Sequence, residues 1–369
     1  MAHRRSITAR WQAIAIAAMA SMATLAGSVV PRPVEAATAA DVARLDTPDR
    51  QQRLEQGARA EGQVVLYTSL VVQQAAEPIQ AAFERKYPFV KLEFFRANSA
   101  HIVQRVLAEN RAGANRSDIV IAGAGPALAR TGFVQPFASP VLAAYPKDHL
   151  GPDGSYAATR FSYQGIGYNT RLVKPDEAPQ TYQDLLDSRW RGEMVWSNSQ
   201  ETGAPFFITQ IRQIMGEDKA HDYLTALSRQ NIATQSASIR SVLDQVIAGE
   251  YAIGISMALH HIAISQARGA PVGGTMPDPV MARAEDIVLL KAAPHPYAAM
   301  LLVDFVLSKD GQKVFADAHY FPAHPGVPPL PEMQAFTPHD HGKAESIVDD
   351  DVLDRERARS TELFRQLFQ

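Results

Sequence analysis

The sequence predicts an α/β protein of two lobes connected by more than one strand. Three observations carry that reading. From residue 63 to 125, β-branched runs alternate with amphipathic stretches, the pattern of an open α/β sheet. The same alternation returns from 161 to 257. The 369 residues are 46% hydrophobic and 20% charged, as in an ordinary globular protein, and roughly 150 residues per domain makes room for about two.

The N-terminus stands apart from this pattern. Arg4, Arg5 and Arg10 precede the apolar run AIAIAAMASMATLAG (13–27), and VVPRPVEA ends in small residues at Val34 and Ala36. This is the layout of a secretory signal over residues 1–36, cleaved after Ala36, with Arg4-Arg5 leaving both the general and the twin-arginine export routes open. The apolar run falls short of the roughly 20 residues of a comfortable membrane span. With no cysteine in the chain, a lipid-anchored N-terminal Cys, disulfides and thiolate chemistry are all excluded. A free periplasmic protein, and a monomer, is expected. The net charge of −3 implies no basic surface for nucleic acid.

In order along the chain, residues 37–61 read as a helical lead-in packed on the outside, with Leu45, Leu54 and Ala58 as its apolar positions. QVVLYTSL (63–70) reads as a buried strand. QQAAEPIQAAFERKY follows as a helix carrying Ile79, Ala82 and Phe83, stopped by Pro88. VKLEFFRA (90–97) is the next strand, and SAHIVQRVLAENRAG (99–113) a helix with Ile102, Val106 and Leu107 on one face. SDIVIAGAG (117–125) is a third strand running into a glycine-rich turn. In the second half FSYQGIGYNT (161–170) alternates as a strand, and TYQDLLDSRWRG (181–192) is a short helix. EMVWSNS (193–199) is a strand, followed by helices over TGAPFFITQIRQIMG and 217–230. SASIRSVLDQVIAGE (236–250) is a helix capped by a serine and by Gly249, and YAIGISM (251–257) a strand ending at His260-His261. Residues 285–318 supply a strand, a proline turn and two helices, and SIVDDDVLDRERARSTELFRQLF a final helix.

The ordered set EGQVVLYTSLVVQQAAEPIQAAFERKYPFVKLEF, SDIVIAGAGPALARTGFVQPF, GIGYNTRLV, LLDSRWRGEMVW, TGAPFF, VIAGEYAIGISMALH and HPYAAMLLVDFVLSKDGQKVF resembles the periplasmic solute-binding proteins of ABC importers, especially their ferric-iron-binding-like branch. The resemblance implies a type II-like two-lobed periplasmic binding fold with a ligand cleft between lobes joined by crossing hinge strands. It also implies closure over one small solute and delivery to an inner-membrane ABC permease. The lobes are expected at 62–160 plus 282–320 and at 161–281 plus 321–369. The family's His, Glu and Tyr-pair iron ligands fall by position on Val71, Gly123, Leu259 and His260. Three of these four cannot ligate, and hard Fe³⁺ wants phenolate and carboxylate oxygen. A bare ferric ion is therefore not expected, while an iron(III) or other metal chelate stays open.

In an open α/β sheet, ligands gather at the carboxyl ends of the strands. The candidates there are Thr68, Ser69, Ser99, Gly123, Ser197, Thr202, Gly203, Ala204 and Ser238. TGAPFF opens a helix, so the N–H groups near Thr202, Gly203 and Ala204 present the positive end of its dipole to a carboxylate or phosphate. Arg240 adds a possible bidentate partner. His260 and His261 are adjacent and cannot both face one point; the plain reading makes one a surface residue and the other a helix-start hydrogen-bond donor, and the functional reading has His260 touch the solute, with a metal role as the third alternative. Thr68, Ser69 and Ser99 have a plain alternative as helix caps, Tyr163, Trp196 and Phe206 as core, and DDD (349–351) as a solvated helix start. PHDHG (338–342) is read as tail rather than metal pair. No metal site and no cofactor is assigned. GxSxG, HExxH and P-loop patterns do not occur. A small anionic or polar solute is expected, with two other readings kept: a solute-sensing partner of a membrane receptor, and a periplasmic hydrolase built on His260, His261, His339 and His341.

Overall fold

The computed structural model describes residues 37–199, 202–348 and 350–369, so the signal segment expected over residues 1–36 lies outside them. Eleven strands form the frame: β1 (Gln63–Thr68), β2 (Lys91–Arg96), β3 (Ile119–Ala122), β4 (Ala157–Asn169), β5 (Met194–Ser197), β6 (Ala233–Gln235), β7 (Ile253–Ala258), β8 (Val272–Thr275), β9 (Val280–Leu289), β10 (Phe321–Pro322) and β11 (Glu345–Val348). The path runs β2-β1-β3-β9-β4-β7-β5-β6, with β8 and β10 on β4 and β11 on β9. β1 is parallel to both β2 and β3, and β5 to both β6 and β7. These two parallel groups are the cores of the two lobes.

The long strands β4 and β9 join them. They pair antiparallel from Ala157↔Ile287 to Gln164↔Met281. The end of β9 continues onto β3, and that of β4 onto β7. Both strands thus leave one lobe and enter the other, which makes them the connection between the two lobes. The divisions drawn at 160/161 and 281/282 fall inside them. Beginning β4 at Phe161 was too late by four residues, because ATR (158–160) lacks the apolar alternation that marks a strand in isolation.

The N-terminal lead-in is not an outer decoration, contrary to the sequence expectation. Its main helix, Arg50–Glu61, buries Leu54 and Ala58 completely and lies along the helix Pro296–Leu307. Gly57 is required there, since a Cβ would sit 2.2 Å from the Tyr297 ring. Arg50, only 7% exposed, pairs with Asp304. Glu61 receives the N–H groups of Tyr297 and Ala298 at 3.1 and 2.7 Å, capping the partner helix.

The C-terminal region also departs from expectation. SIV belongs to β11, parallel to β9, and the helix starts only at Asp350 and runs to Phe368. It covers the second lobe: Phe364 and Phe368 meet the Trp196 ring edge-on at 5.9 and 4.7 Å. Trp196 and Phe206 are fully buried core residues. TYQDLLDSRWRG forms two 3₁₀ turns, Gln183–Leu186 and Ser188–Trp190, instead of one helix. Among the described residues no helix is long and apolar enough to cross a membrane.

Candidate functional site

Strand alternation gives the hinge two faces. Arg160 pairs in register with Glu285, and Ser162 with Arg283, so these four residues share one face of the β4–β9 ribbon. That face looks into a cavity of about 220 Å³ lined by Ser69, Arg96, Asn98, Ser99, Arg283, Glu285 and, from the final helix, Asp350, Asp354 and Arg357. Arg160 lies 2.6 Å from Glu285 and stacks 3.8 Å over the Tyr320 ring. Arg283 pairs with Asp350, and Arg357 with Asp354. Arg96, at the exposed end of β2, has no acidic partner among the described residues. Three buried polar atoms on this face lack a hydrogen-bond partner: Ser69 Oγ, Arg160 Nε and Glu285 Oε2. Buried polar groups are nearly always satisfied, so these atoms have hydrogen-bonding capacity left for water or a solute.

The expected site residues divide on this frame. Ser69 and Ser99 line the cavity. Thr68 does not: its hydroxyl donates to the Ile121 carbonyl at 2.9 Å and accepts from the Leu70 N–H, which ties β1 to β3. Ser99 is not a cap, because Asn98 accepts the His101 N–H at 2.8 Å in that role. A Cβ on Gly123 would meet the Asp350 carboxylate at 2.3 Å. The residue the DDD motif left to solvent therefore occupies the space in front of β3.

Ser197, Thr202, Gly203 and Ala204 gather around the start of the helix Ala204–Met215, apart from the lining of the cavity. Ser197 is fully buried and holds the Ala237 carbonyl and the Ser199 N–H. Gly203 is closed in by backbone, with a Cβ due 2.2 Å from the Ser197 oxygen. Ala204 is fully buried and Pro205 has no N–H to offer. Ser256, with a left-handed φ of 59°, braces this corner by bonding Gln164. Ser238 caps the helix Ile239–Ala248 by accepting the Ser241 N–H at 3.1 Å. Arg240 corrects the expectation of a bidentate ligand partner: its guanidinium is held by Asp244 at 2.6 Å and Ser265 at 2.8 Å.

The histidine pair opens the helix Leu259–Ala267, with the rings 4.2 Å apart. Burial pushes His260 down to about 3, and the charges of its neighbours His261, Arg160 and His319 act in the same direction. Burial and Arg240 push His261 down to about 4. Among the described residues no three His, Asp or Glu side chains converge as a metal site.

A pH prediction follows from the two imidazoles. Both folded pKa values lie below the unfolded value of about 6.5, so the unfolded chain binds more protons between pH 6.5 and about pH 3–4. The stability they contribute is complete above pH 6.5 and is lost on acidification, at about 1–2 kcal/mol per histidine by pH 5. Melting temperatures from pH 7.5 to 5 should fall, and His260→Gln/His261→Gln should flatten the slope. An unchanged slope in the double variant would remove the histidines as its cause.

A known family accounts for this arrangement. The family model described as bacterial extracellular solute-binding protein matches residues 115–346. The chain belongs to that family. An uncharacterized protein of Haemophilus influenzae is 29% identical over 269 residues, spanning 70% of this chain and 76% of its own. Two solved structures share the fold. The Trichodesmium protein IdiA (FutA) in complex with iron and citrate has 20% identity and a TM-score of 0.70, over 83% of this chain and 99% of that one. AfuA from Actinobacillus pleuropneumoniae, with exogenous fructose-6-phosphate bound, has 22% identity and a TM-score of 0.60, over 84% and 99%. The cavity and the hinge face behind it bring together residues that sequence reasoning passed over: Arg96, Arg283, Glu285, Asp350 and Arg357 in the lining, with Arg160 paired to Glu285 and stacked over Tyr320. Arg96 ends β2, but Arg160, Arg283 and Glu285 lie within strands and Asp350 and Arg357 on the last helix, so their charge gave no signal that solvated residues do not share.

Proposed function

We propose that this solute-binding protein captures a small organic anion, a phosphate ester or polycarboxylate, in the cleft and presents it to an ABC permease from the periplasm. It works as a monomer that binds without turnover, with 62–160 plus 282–320 as one lobe and 161–281 plus 321–369 as the other. The observation that carries the reading is the donor set of the cleft. Arg96, Arg283 and Arg357 line the cavity with three carboxylates, Glu285, Asp350 and Asp354; Arg160, Arg283 and Arg357 each pair with one of the three, leaving Arg96 and the Ser69 hydroxyl for an oxyanion. By the resemblance, the positions of the His, Glu and Tyr-pair iron ligands of the ferric-binding branch are here Val71, Gly123, Leu259 and His260. Fructose-6-phosphate in AfuA supports an organic anion. Iron with citrate in the Trichodesmium protein supports a second reading, an anionic metal chelate.

Thermal-shift titration of residues 37–369 with glucose-6-phosphate, citrate, ferric citrate and bare Fe³⁺ separates the two. A solute at a hundred times its Kd adds about 2.7 kcal/mol of stability. Stabilisation by metal-free phosphate ester or citrate is expected, and by ferric citrate alone if the chelate is the cargo. Stabilisation by bare Fe³⁺ and by none of the anions would overturn both readings. With the stabilising solute present, small-angle scattering should show a smaller radius of gyration as β4 and β9 bend. An unchanged radius at saturation would refute closure.

A further inference from the structure

The reverse face of the hinge bears a second cavity, of about 750 Å³, which shares no lining residue with the cleft cavity. Its floor follows from the alternation that turns Arg160 and Ser162 into the cleft: Phe161 and Tyr163 must project the other way. Their rings stack at 5.8 Å and 12°. Phe321 meets Tyr163 edge-on at 4.8 Å, and His149 lies 4.6 Å from Phe161. The loop PAHPGVPPLP (322–331) supplies a proline-rich wall.

The ionisable groups around this apolar floor are three carboxylates, Glu345, Asp148 and Asp340, with the imidazoles of His149, His324 and His339 and the ammonium of Lys343. Glu345, paired with Val280 at the start of β11, accepts the Tyr163 hydroxyl at 2.9 Å on Oε1. Its Oε2 is buried without a partner. Asp148 enters from the other side of the hinge, and Asp340 lies at the rim. Burial raises the Glu345 carboxyl above its usual range against the lowering effect of the Tyr163 hydrogen bond, and Asp148 adds to the rise. The ammonium of Lys343 is turned to the Met276 carbonyl. Two carboxylates therefore face one space over an aromatic floor with no ammonium between them. A bare metal ion is a poor match, because no three ligating side chains converge among the described residues.

We propose that this cavity binds a small organic cation, an amine with an aromatic or apolar body. The ammonium would donate to Glu345 Oε2 and Asp148, and the body would lie on Phe161, Tyr163 and Phe321, where the ring faces attract positive charge. The volume lies within the roughly 300–1,000 Å³ of small-molecule sites. No residue is shared with the anion cleft, so the proposal is independent of the identity of the transported solute.

Saturation-transfer NMR on residues 37–369 at pH 7.5, with 2-phenylethylamine as probe and 2-phenylethanol as its neutral counterpart, tests it. The amine should bind saturably with a Kd on the order of 1 mM, and the alcohol about tenfold more weakly. Glu345→Gln should weaken amine binding about tenfold and Asp148→Asn, at an exposed position that folding tolerates, about threefold. Equal binding of amine and alcohol, indifference of the amine to both substitutions, or absence of saturable amine binding would each overturn the proposal.

Discussion

Replacing Arg50 by Met should cost about 3–5 kcal/mol of folding stability, a large share of the roughly 5–15 kcal/mol that holds an ordinary domain together. The guanidinium is 7% exposed and pairs with Asp304, reaching Oδ1 at 3.1 Å and the Ala138 carbonyl at 3.3 Å. Asp304 sits in a helix whose other residues are almost all buried and apolar. Its remaining donor in the variant is the Ser139 hydroxyl, at 2.6 Å. Methionine keeps the apolar stem and removes the charge, so the cost is that of an unpaired buried carboxylate. Urea denaturation should show it, and Arg50→Met/Asp304→Leu should recover most of the loss. A loss below about 1 kcal/mol would mean that residues 37–61 are not part of the cooperative core.

Arg160→Met should weaken binding of an anionic solute about 30- to 300-fold, or about 2–3.5 kcal/mol. Two effects act together. The anion loses a buried cation on the cleft face of the hinge, and the Glu285 carboxylate, which lines the cavity and is held by Arg160 at 2.6 Å, turns from a neutralised partner into a repelling charge. Arg160→Met/Glu285→Gln should therefore bind more tightly than the single variant. The sign is diagnostic: a cationic cargo would bind Arg160→Met more tightly than the parent protein. Calorimetric titration with the solute found by thermal shift reads both, and a gain in affinity would refute the anion reading.

Legibility differed between fold and site for identifiable reasons. Buried parallel strands such as QVVLYT and IVIA are apolar on both faces, and SASIRSVLDQVIAG carries its own cap and stop, so these elements were visible locally. Where burial comes from a distant partner, local pattern misled. Leu54, Ala58 and Gly57 look like a sparse surface helix until the helix Pro296–Leu307 covers them. The SIV segment reads as helix until β9 offers it an edge. Of the hydroxyl residues read at strand ends, Ser69 and Ser99 line the cavity. Thr68, Ser197 and Ser238 stand at equivalent positions, and their hydrogen bonds are taken up within the fold.

The sequence by itself determined the α/β class, the two parallel strand groups and the family, because each depends on residue type and order. Only the tertiary structure decided which side chains meet. Arg160, Arg283 and Glu285 converge because two strands more than a hundred residues apart pair in one register. Asp350 reaches Gly123 because the last helix folds back over the second lobe. Phe161 and Tyr163 turn away from Arg160 because a strand alternates its faces. Pairing register and long-range return of the chain are properties of the folded molecule, and local periodicity carries no record of them.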